Sequence, residues 1–261
     1  MDSTTLTTAS VAKFFRVRLS LPACFLICYC AAIGAEAEDV LGESRQCIVV
    51  TTAAWSAPLG LLATFERDGS RAWRQHKSPI PVVVGNAGLA WGRGVVDSAA
   101  LPGPSKVEGD DRAPAGVFLL RFVFGYAQPQ TVHIRMPYVA LSQNIVAIDD
   151  SRSRYYNQVV DRSKIKDPDW HSAEKMMLND DRYKWGVFVE HNVPPKPGAG
   201  SCIFVHVWKN SQTTTSGCTA LPENDLVKII HWLDPARRPL LVQMPRPVYK
   251  ELQAKWNLPD L

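Results

Sequence analysis

Nine short runs rich in β-branched and aromatic residues, set apart by Gly, Pro, Asn and Asp, restrict this chain to a mainly β fold. The first four are "QCIVVTTAAW" (Gln46 to Trp55), "GLLATFERDG" (Gly60 to Gly69), "IPVVVG" (Ile80 to Gly85) and "AGVFLLRFVFGY" (Ala115 to Tyr126). "QTVHIRMPY" (Gln130 to Tyr138), "NIVAIDD" (Asn144 to Asp150), "WGVFVEHN" (Trp185 to Asn192) and "SCIFVHVW" (Ser201 to Trp208) follow, and "PLLVQMP" (Pro239 to Pro245) closes the series. Helical patterns are fewer. "HSAEKMML" (His171 to Leu178) has Ser172 at a capping position, and "PENDLVKIIHWLD" has proline and acids at its start, with Leu226, Ile229, Ile230 and Leu233 on one face. Tyr249 to Trp256 reads as a last short helix. No repeat interrupts the series, so one domain from 38 to 261 is expected.

The first 37 residues differ in kind. Lys13, Arg16 and Arg18 precede the apolar run Leu19 to Ile33, which leads into small residues ending at Ala35 and Ala37. This is the pattern of a secretory signal peptide cleaved after Ala35 or Ala37. The run is shorter than the ~20 residues of a membrane span and is broken by Pro22, so no stable span is expected after cleavage. The protein is then expected outside the cytoplasm.

Cleavage removes Cys24, Cys28 and Cys30 and leaves Cys47, Cys202 and Cys218. An odd number of cysteines in an oxidising compartment leaves a thiol unpaired, which points to a chemical role for at least one. Cys47 and Cys202 each lie in a strand-like run and are candidates for a disulfide, although spacing does not decide the pairing.

Cys218 stands in "FVHVWKNSQTTTSGCTALPEND", behind Gly217 and a few residues ahead of a helix. A nucleophilic thiol needs a base, and His206 lies twelve positions upstream in a strand that turns Phe204, His206 and Trp208 to one face and Ile203, Val205 and Val207 to the other. Gly217 allows the sharp turn that brings the N–H groups of Gly217 and Cys218 together as oxyanion donors. The nearby helix N-terminus and imidazole are expected to lower the thiol pKa. On spacing alone, a core histidine beside a buried thiol is the commoner explanation of such a pair.

The fragments "FVHVW…TTTSGCTAL" and "GRG…SKVEGDDRAPAGVF" together resemble the YkuD-type L,D-transpeptidase catalytic domain of bacterial cell-wall enzymes. Thr215-Ser216-Gly217-Cys218 matches the family's cysteine motif and His206 its upstream histidine. Lys106, Glu108-Gly109-Asp110, Pro114 and Gly116-Val117-Phe118 match its second element. The matches run from about Val82 to Met244. The resemblance, to a subgroup with SGCTAL-type motifs, implies a mainly β, sandwich-like or barrel-like domain with a few short helices.

It also implies a cysteine acyltransferase in which Cys218 attacks the meso-diaminopimelate carbonyl of a peptidoglycan stem peptide and releases D-alanine. His206 is then general base and acid, oriented by a backbone carbonyl, and the acyl group passes to another stem peptide, a wall-linked lipoprotein or water. Transfer to water would make the protein an L,D-carboxypeptidase or an amidase that frees lipoprotein from the wall. A non-catalytic wall-binding module is the alternative of another class. Periplasm or cell wall is the implied location, and the chemistry requires no cofactor.

Relatives often carry His where Ser216 stands and Arg or Asn where Ala220 stands, so reaction class carries over and substrate contacts do not. Thr215, Ser216, Trp208 and Tyr156 are the candidate substrate-binding residues. Tyr155, Asn157, Trp170 and Glu174 are candidates for a peptide groove, or for an insertion that packs its own aromatics. His191 reads as a structural histidine, and Lys106 and Asp110 as a structural ion pair. No metal site is expected, since the six histidines are dispersed and HExxH and CxxC are absent. A net charge of +4 without any basic block argues against a nucleic-acid partner, and none is expected.

Overall fold

The computed structural model describes residues 39–69 and 72–261; the expected signal peptide lies outside the described residues. The strands are β1 (Gln46–Thr52), β2 (Leu59–Glu66), β3 (Arg74–Val83), β4 (Leu89–Trp91), β5 (Ala113–Gly125), β6 (Tyr138–Ala140) and β7 (Ile145–Ala147). Then come β8 (Val159–Asp161), β9 (Glu174–Lys175), β10 (Trp185–Val189), β11 (Phe204–Val207) and β12 (Thr219–Leu221). Helix α1 (Glu223–Trp232) precedes β13 (Leu240–Pro245), and α2 (Arg246–Gln253) follows it.

The fold is mainly β, as expected. The large sheet runs β10-β11-β12-β3-β2-β1-β13-β5-β4, and a further pairing of β10 with β5 closes eight of its strands into a barrel-like circuit. Closure leaves those strands few free edges, and β4 and β6 lie alongside the long β5. β1 is buried along its whole length, which is why "QCIVVTT" reads as a continuous apolar run instead of an alternating one. The predicted apolar face of α1 is buried through Leu226, Ile229 and Ile230, with Leu233 at its C-cap, and α2 buries Tyr249 and Leu252.

β11 shows the alternation most clearly. Ile203, Val205 and Val207 join the larger apolar core, whereas Phe204 belongs to a second cluster with Phe124, Met176, Tyr183 and Cys202. Complete burial of Phe204 alone stabilises the second cluster by about 2–3 kcal/mol. That cluster roofs the outward face of β11. The roof comes from the insertion after β6, whose strands form a separate sheet in the order β8-β7-β9.

Two expected elements take another form. The segment 130–138 does alternate in exposure, but only Tyr138 enters a strand, and Pro129–Thr131 forms a 3-10 turn. Prolines at 129 and 137 remove main-chain donors, and no described strand pairs with the residues between them. The segment 171–178 is not a helix: Ser172 spends its hydroxyl on Asp149 Oδ1 (2.6 Å), and Glu174 pairs with Ala147 as β9. Cys47 and Cys202 do not form a disulfide; both are buried free thiols, as distant elements hold them.

Candidate active site

The turn that carries Cys218 is tied by its own threonine. Thr215 Oγ1 donates to the Cys218 carbonyl (2.6 Å) and accepts the Gly217 N–H (3.2 Å). Gly217 has φ of 151°, a conformation that favours glycine, and a Cβ there would sit tightly, 3.2 Å from the Arg112 carbonyl oxygen. The turn is also tied to the segment that follows β3, because the Asn86 N–H donates to Thr215 O (2.8 Å) and the Thr215 N–H to Val84 O (3.1 Å).

β11 and β12 run parallel, with Val205 opposite Thr219 and His206 opposite Ala220. That register puts Cys218, two residues before Ala220, on the same sheet face as His206. The Phe204 N–H donates to Cys218 Sγ (3.3 Å), fixing the sulfur against β11. Both side chains line a cleft of about 460 Å³. Lys106, Glu108, Gly109 and Asp111 from the upstream motif line the same cleft, so two sequence motifs about a hundred positions apart meet at one thiol. Behind the turn a buried relay joins them again: Thr219 Oγ1 donates to Gln243 Oε1 (2.7 Å), and Gln243 Nε2 to Pro114 O (2.9 Å).

His206 is 6% exposed, with Nδ1 2.8 Å from the Val207 carbonyl. Nδ1–H is therefore the donor, and Nε2 carries the lone pair needed of a base. Tyr183 stands edge-to-face against the imidazole, ring centres 5.2 Å apart, and its hydroxyl donates to Glu174 Oε1 (2.6 Å). Burial pulls the His206 pKa down to about 4, partly opposed by the Val207 carbonyl. The thiol departs from the expected direction. Burial, then the charge of Glu174, pushes Cys218 up to about 12, while the Phe204 N–H and Lys106 pull it back. β12 separates Cys218 from α1, whose first turn holds Glu223 and Asp225, so no helix end serves the sulfur directly. The resting pair is a neutral thiol and a neutral imidazole.

The Gly217 N–H is engaged by Thr215, whereas the Cys218 N–H has no partner among the described residues and is left free to donate to a group in the cleft. Ser216, Thr215 and Trp208 line the cleft, and so does Glu174. Tyr156 does not: it is 2% exposed and its hydroxyl donates to Glu108 Oε2, so it supports the cleft wall from behind. Asn157 is equally buried and structural, accepting the Cys202 N–H (2.9 Å) and donating to the carbonyls of His191 and Asn192. Tyr155 and Trp170 pack against each other, ring centres 5.5 Å apart, within the insertion.

His191 lies outside the cleft, buried between the Arg93 N–H and the Ala199 carbonyl. Lys106 and Asp110 form the expected ion pair (2.6 Å), with Asp110 also accepting the N–H groups of Val107 and Arg112. Sequence reasoning missed Tyr183, whose only signal is an aromatic residue among charges in "NDDRYKW" just ahead of β10. Among the described residues no group of three or more His, Cys, Asp or Glu is arranged to hold a metal. No described helix is long and apolar enough to cross a membrane. None of the protein-family models and none of the curated proteins compared with this chain matches it.

Proposed function

We propose that this protein is a cysteine acyltransferase of L,D-transpeptidase type, exported to the periplasm or cell wall, that acts on peptidoglycan stem peptides of the diaminopimelate kind. The observation that carries the reading is the meeting of the Lys106–Phe118 and Thr215–Cys218 motifs in one cleft, with His206 oriented by a main-chain carbonyl on the same sheet face as Cys218.

Because thiol and imidazole both rest neutral, the proton leaves Cys218 as the sulfur attacks, not beforehand. Sγ bonds to the diaminopimelate carbonyl carbon, His206 Nε2 takes the thiol proton, and the oxyanion meets the Cys218 N–H. The carbonyl re-forms as the C–N bond breaks, and His206 returns the proton to the departing D-alanine amine. An acceptor amine then attacks the thioester, gives a proton to His206 and releases the sulfur, which recovers that proton.

Mass spectrometry of the purified protein after exposure to a carbapenem tests the nucleophile. An adduct on Cys218, absent from Cys218→Ala, is expected; its absence would remove the enzymatic reading in favour of a wall-binding module. Muropeptide products then separate the acceptors. New 3→3 cross-links support transfer, and tripeptides or freed lipoprotein would overturn it in favour of hydrolysis.

A further inference from the structure

Within the reading just proposed, one cleft residue works against the nucleophile. Glu174 comes from β9 in the roof, and its charge is the largest influence on Cys218 after burial, in the direction that opposes thiolate. A site shaped only for thiol reactivity would not set a carboxylate there. The carboxylate is firmly held, with Oε1 accepting from the Tyr183 hydroxyl that backs the His206 ring. Its other oxygen has no hydrogen-bond partner among the described residues, and the side chain lines the cleft.

Two of the cations that line the cleft are committed elsewhere, while Lys209, the third, makes no ion pair among the described residues. Lys106 pairs with Asp110 (2.6 Å) and donates to Val107 O (2.8 Å), and Arg182 pairs with Asp180 (2.9 Å). Glu174 makes no ion pair among the described residues. The charged or titratable groups that line the cleft with it are Asp149, Asp180, Arg182 and Tyr183 from the roof, with Lys106, Glu108, Asp111, Cys202, His206 and Lys209 from the rest of the protein; burial raises the Glu174 pKa, and the Tyr183 hydroxyl and the Arg182 charge oppose it. None of the described cations forms an ion pair with it. One oxygen of this carboxylate is therefore without a hydrogen-bond or ion-pair partner among the described residues, in the cleft that Cys218 also lines.

We infer that Glu174 determines specificity: it receives a substrate ammonium group close to the scissile carbonyl, and until that cation arrives its charge restrains Cys218. The ligand class is an acyl donor bearing a free primary amine, and recognition of that amine activates the nucleophile. Bound cation and Glu174 offset each other, so the thiol loses the proton more readily in the complex than in the free enzyme. Substrates that lack the amine meet a restrained thiol, and the protein is spared adventitious alkylation while empty.

Two measurements on the whole protein test this without relying on turnover. The first is alkylation of Cys218 by neutral iodoacetamide near pH 8, followed by mass spectrometry. Glu174→Gln should react about 3-fold faster or more, the effect of half a pKa unit on thiolate population. Glu174→Asp keeps a carboxylate at the same position, so it should stay about as slow as wild type. A merely structural role predicts that both variants change alike. The second is calorimetric affinity for a stem tetrapeptide with a free diaminopimelate amine, compared with its N-acetylated analogue. Wild type should prefer the free amine and Glu174→Gln should lose that preference. Equal alkylation rates in wild type and Glu174→Gln, or a preference that survives Glu174→Gln, would overturn the inference. Failure of the broader enzymatic reading shows separately, as wild type that gives no carbapenem adduct.

Discussion

His206 Nδ1 lies 2.8 Å from the carbonyl oxygen of Val207, the next residue of its own strand. The acceptor is main chain, so it cannot be protonated away, and it fixes the tautomer at any pH where the ring is neutral. Burial sets the imidazole pKa at about 4, so Nε2 is available as a base above that value and is lost as pH falls through it. The rate of Cys218 acylation by a carbapenem should therefore keep its acid limb near pH 4. His206→Ala should slow acylation by about 10²–10⁴-fold. A limb near 6.5 in the wild-type pH–rate profile would show that a different or more exposed group is the base.

The three described cysteines should separate by reactivity. Burial pushes the Cys47 and Cys202 thiols up, and each is at most 6% exposed although Cys202 also lines the cleft, whereas Cys218 is only half-buried there. Brief treatment of native protein with a maleimide, followed by peptide mapping, should label Cys218 and leave the other two unmodified until denaturant is added. Equal native labelling of Cys202 would mean that the roof opens on the timescale of the reagent.

Much of this site was legible because β11 obeys a period of two. His206 and Phe204 had to share a face, and a thiol behind a glycine had to sit in a turn; local stereochemistry settles both. The closure of β5 onto β10, and the roof over the thiol, rest on contacts between residues far apart in the chain, which no local pattern encodes. Gln130 to Tyr138 illustrates the failure in the other direction. Its alternation is genuine, yet a strand exists only where a partner accepts its hydrogen bonds. The direction of the thiol shift was likewise hidden, since it depends on burial and on Glu174 arriving from β9.

His191 should make the fold sensitive to mild acid. It is fully buried and neutral, and desolvation lowers its pKa to about 4, with Lys106 and Arg93 acting in the same direction and the Ala199 carbonyl and Asp110 against it. The unfolded chain titrates near 6.5, so it binds the proton more readily. The stability this histidine contributes is complete above about 6.5 and declines as pH falls toward 4. Between pH 7 and 4.5, denaturant unfolding of His191→Gln should show roughly 2 kcal/mol less loss of stability than wild type. Parallel losses in the two proteins would remove His191 as the cause.

Gln243 is fully buried between Thr219 and Pro114, and it is the only described side chain that bonds to both motif segments at once. Gln243→Leu keeps approximate volume and removes both partners, leaving a hydroxyl and a carbonyl buried and unpaired. At ~1–3 kcal/mol for each of the two stranded groups, a loss of about 2–6 kcal/mol is expected in chemical denaturation. Because Thr219 adjoins Cys218, carbapenem acylation at a temperature where the variant remains folded should also slow. A variant of wild-type stability would show that water or a shifted neighbour satisfies both groups.

Lys106 and Asp110 are not equivalent members of their pair. Lys106 has a side chain 4% exposed, and its ammonium is held by Asp110 and the Val107 carbonyl. Asp110 is supported besides by the N–H groups of Val107 and Arg112, which remain if the lysine is removed. Lys106→Met therefore strands a carboxylate that still has two donors, while Asp110→Asn strands a buried ammonium with a single carbonyl. Breaking a buried pair costs about 3–5 kcal/mol, so Lys106→Met should fall near the lower figure and Asp110→Asn near the upper. Lys106 also lowers the Cys218 pKa, so Lys106→Met should slow thiol alkylation at pH 8 beyond its effect on stability. Urea titrations of the two variants, with alkylation rates measured on the folded protein, decide the order; a less stable Lys106→Met would mean that the two main-chain donors do not sustain Asp110 alone.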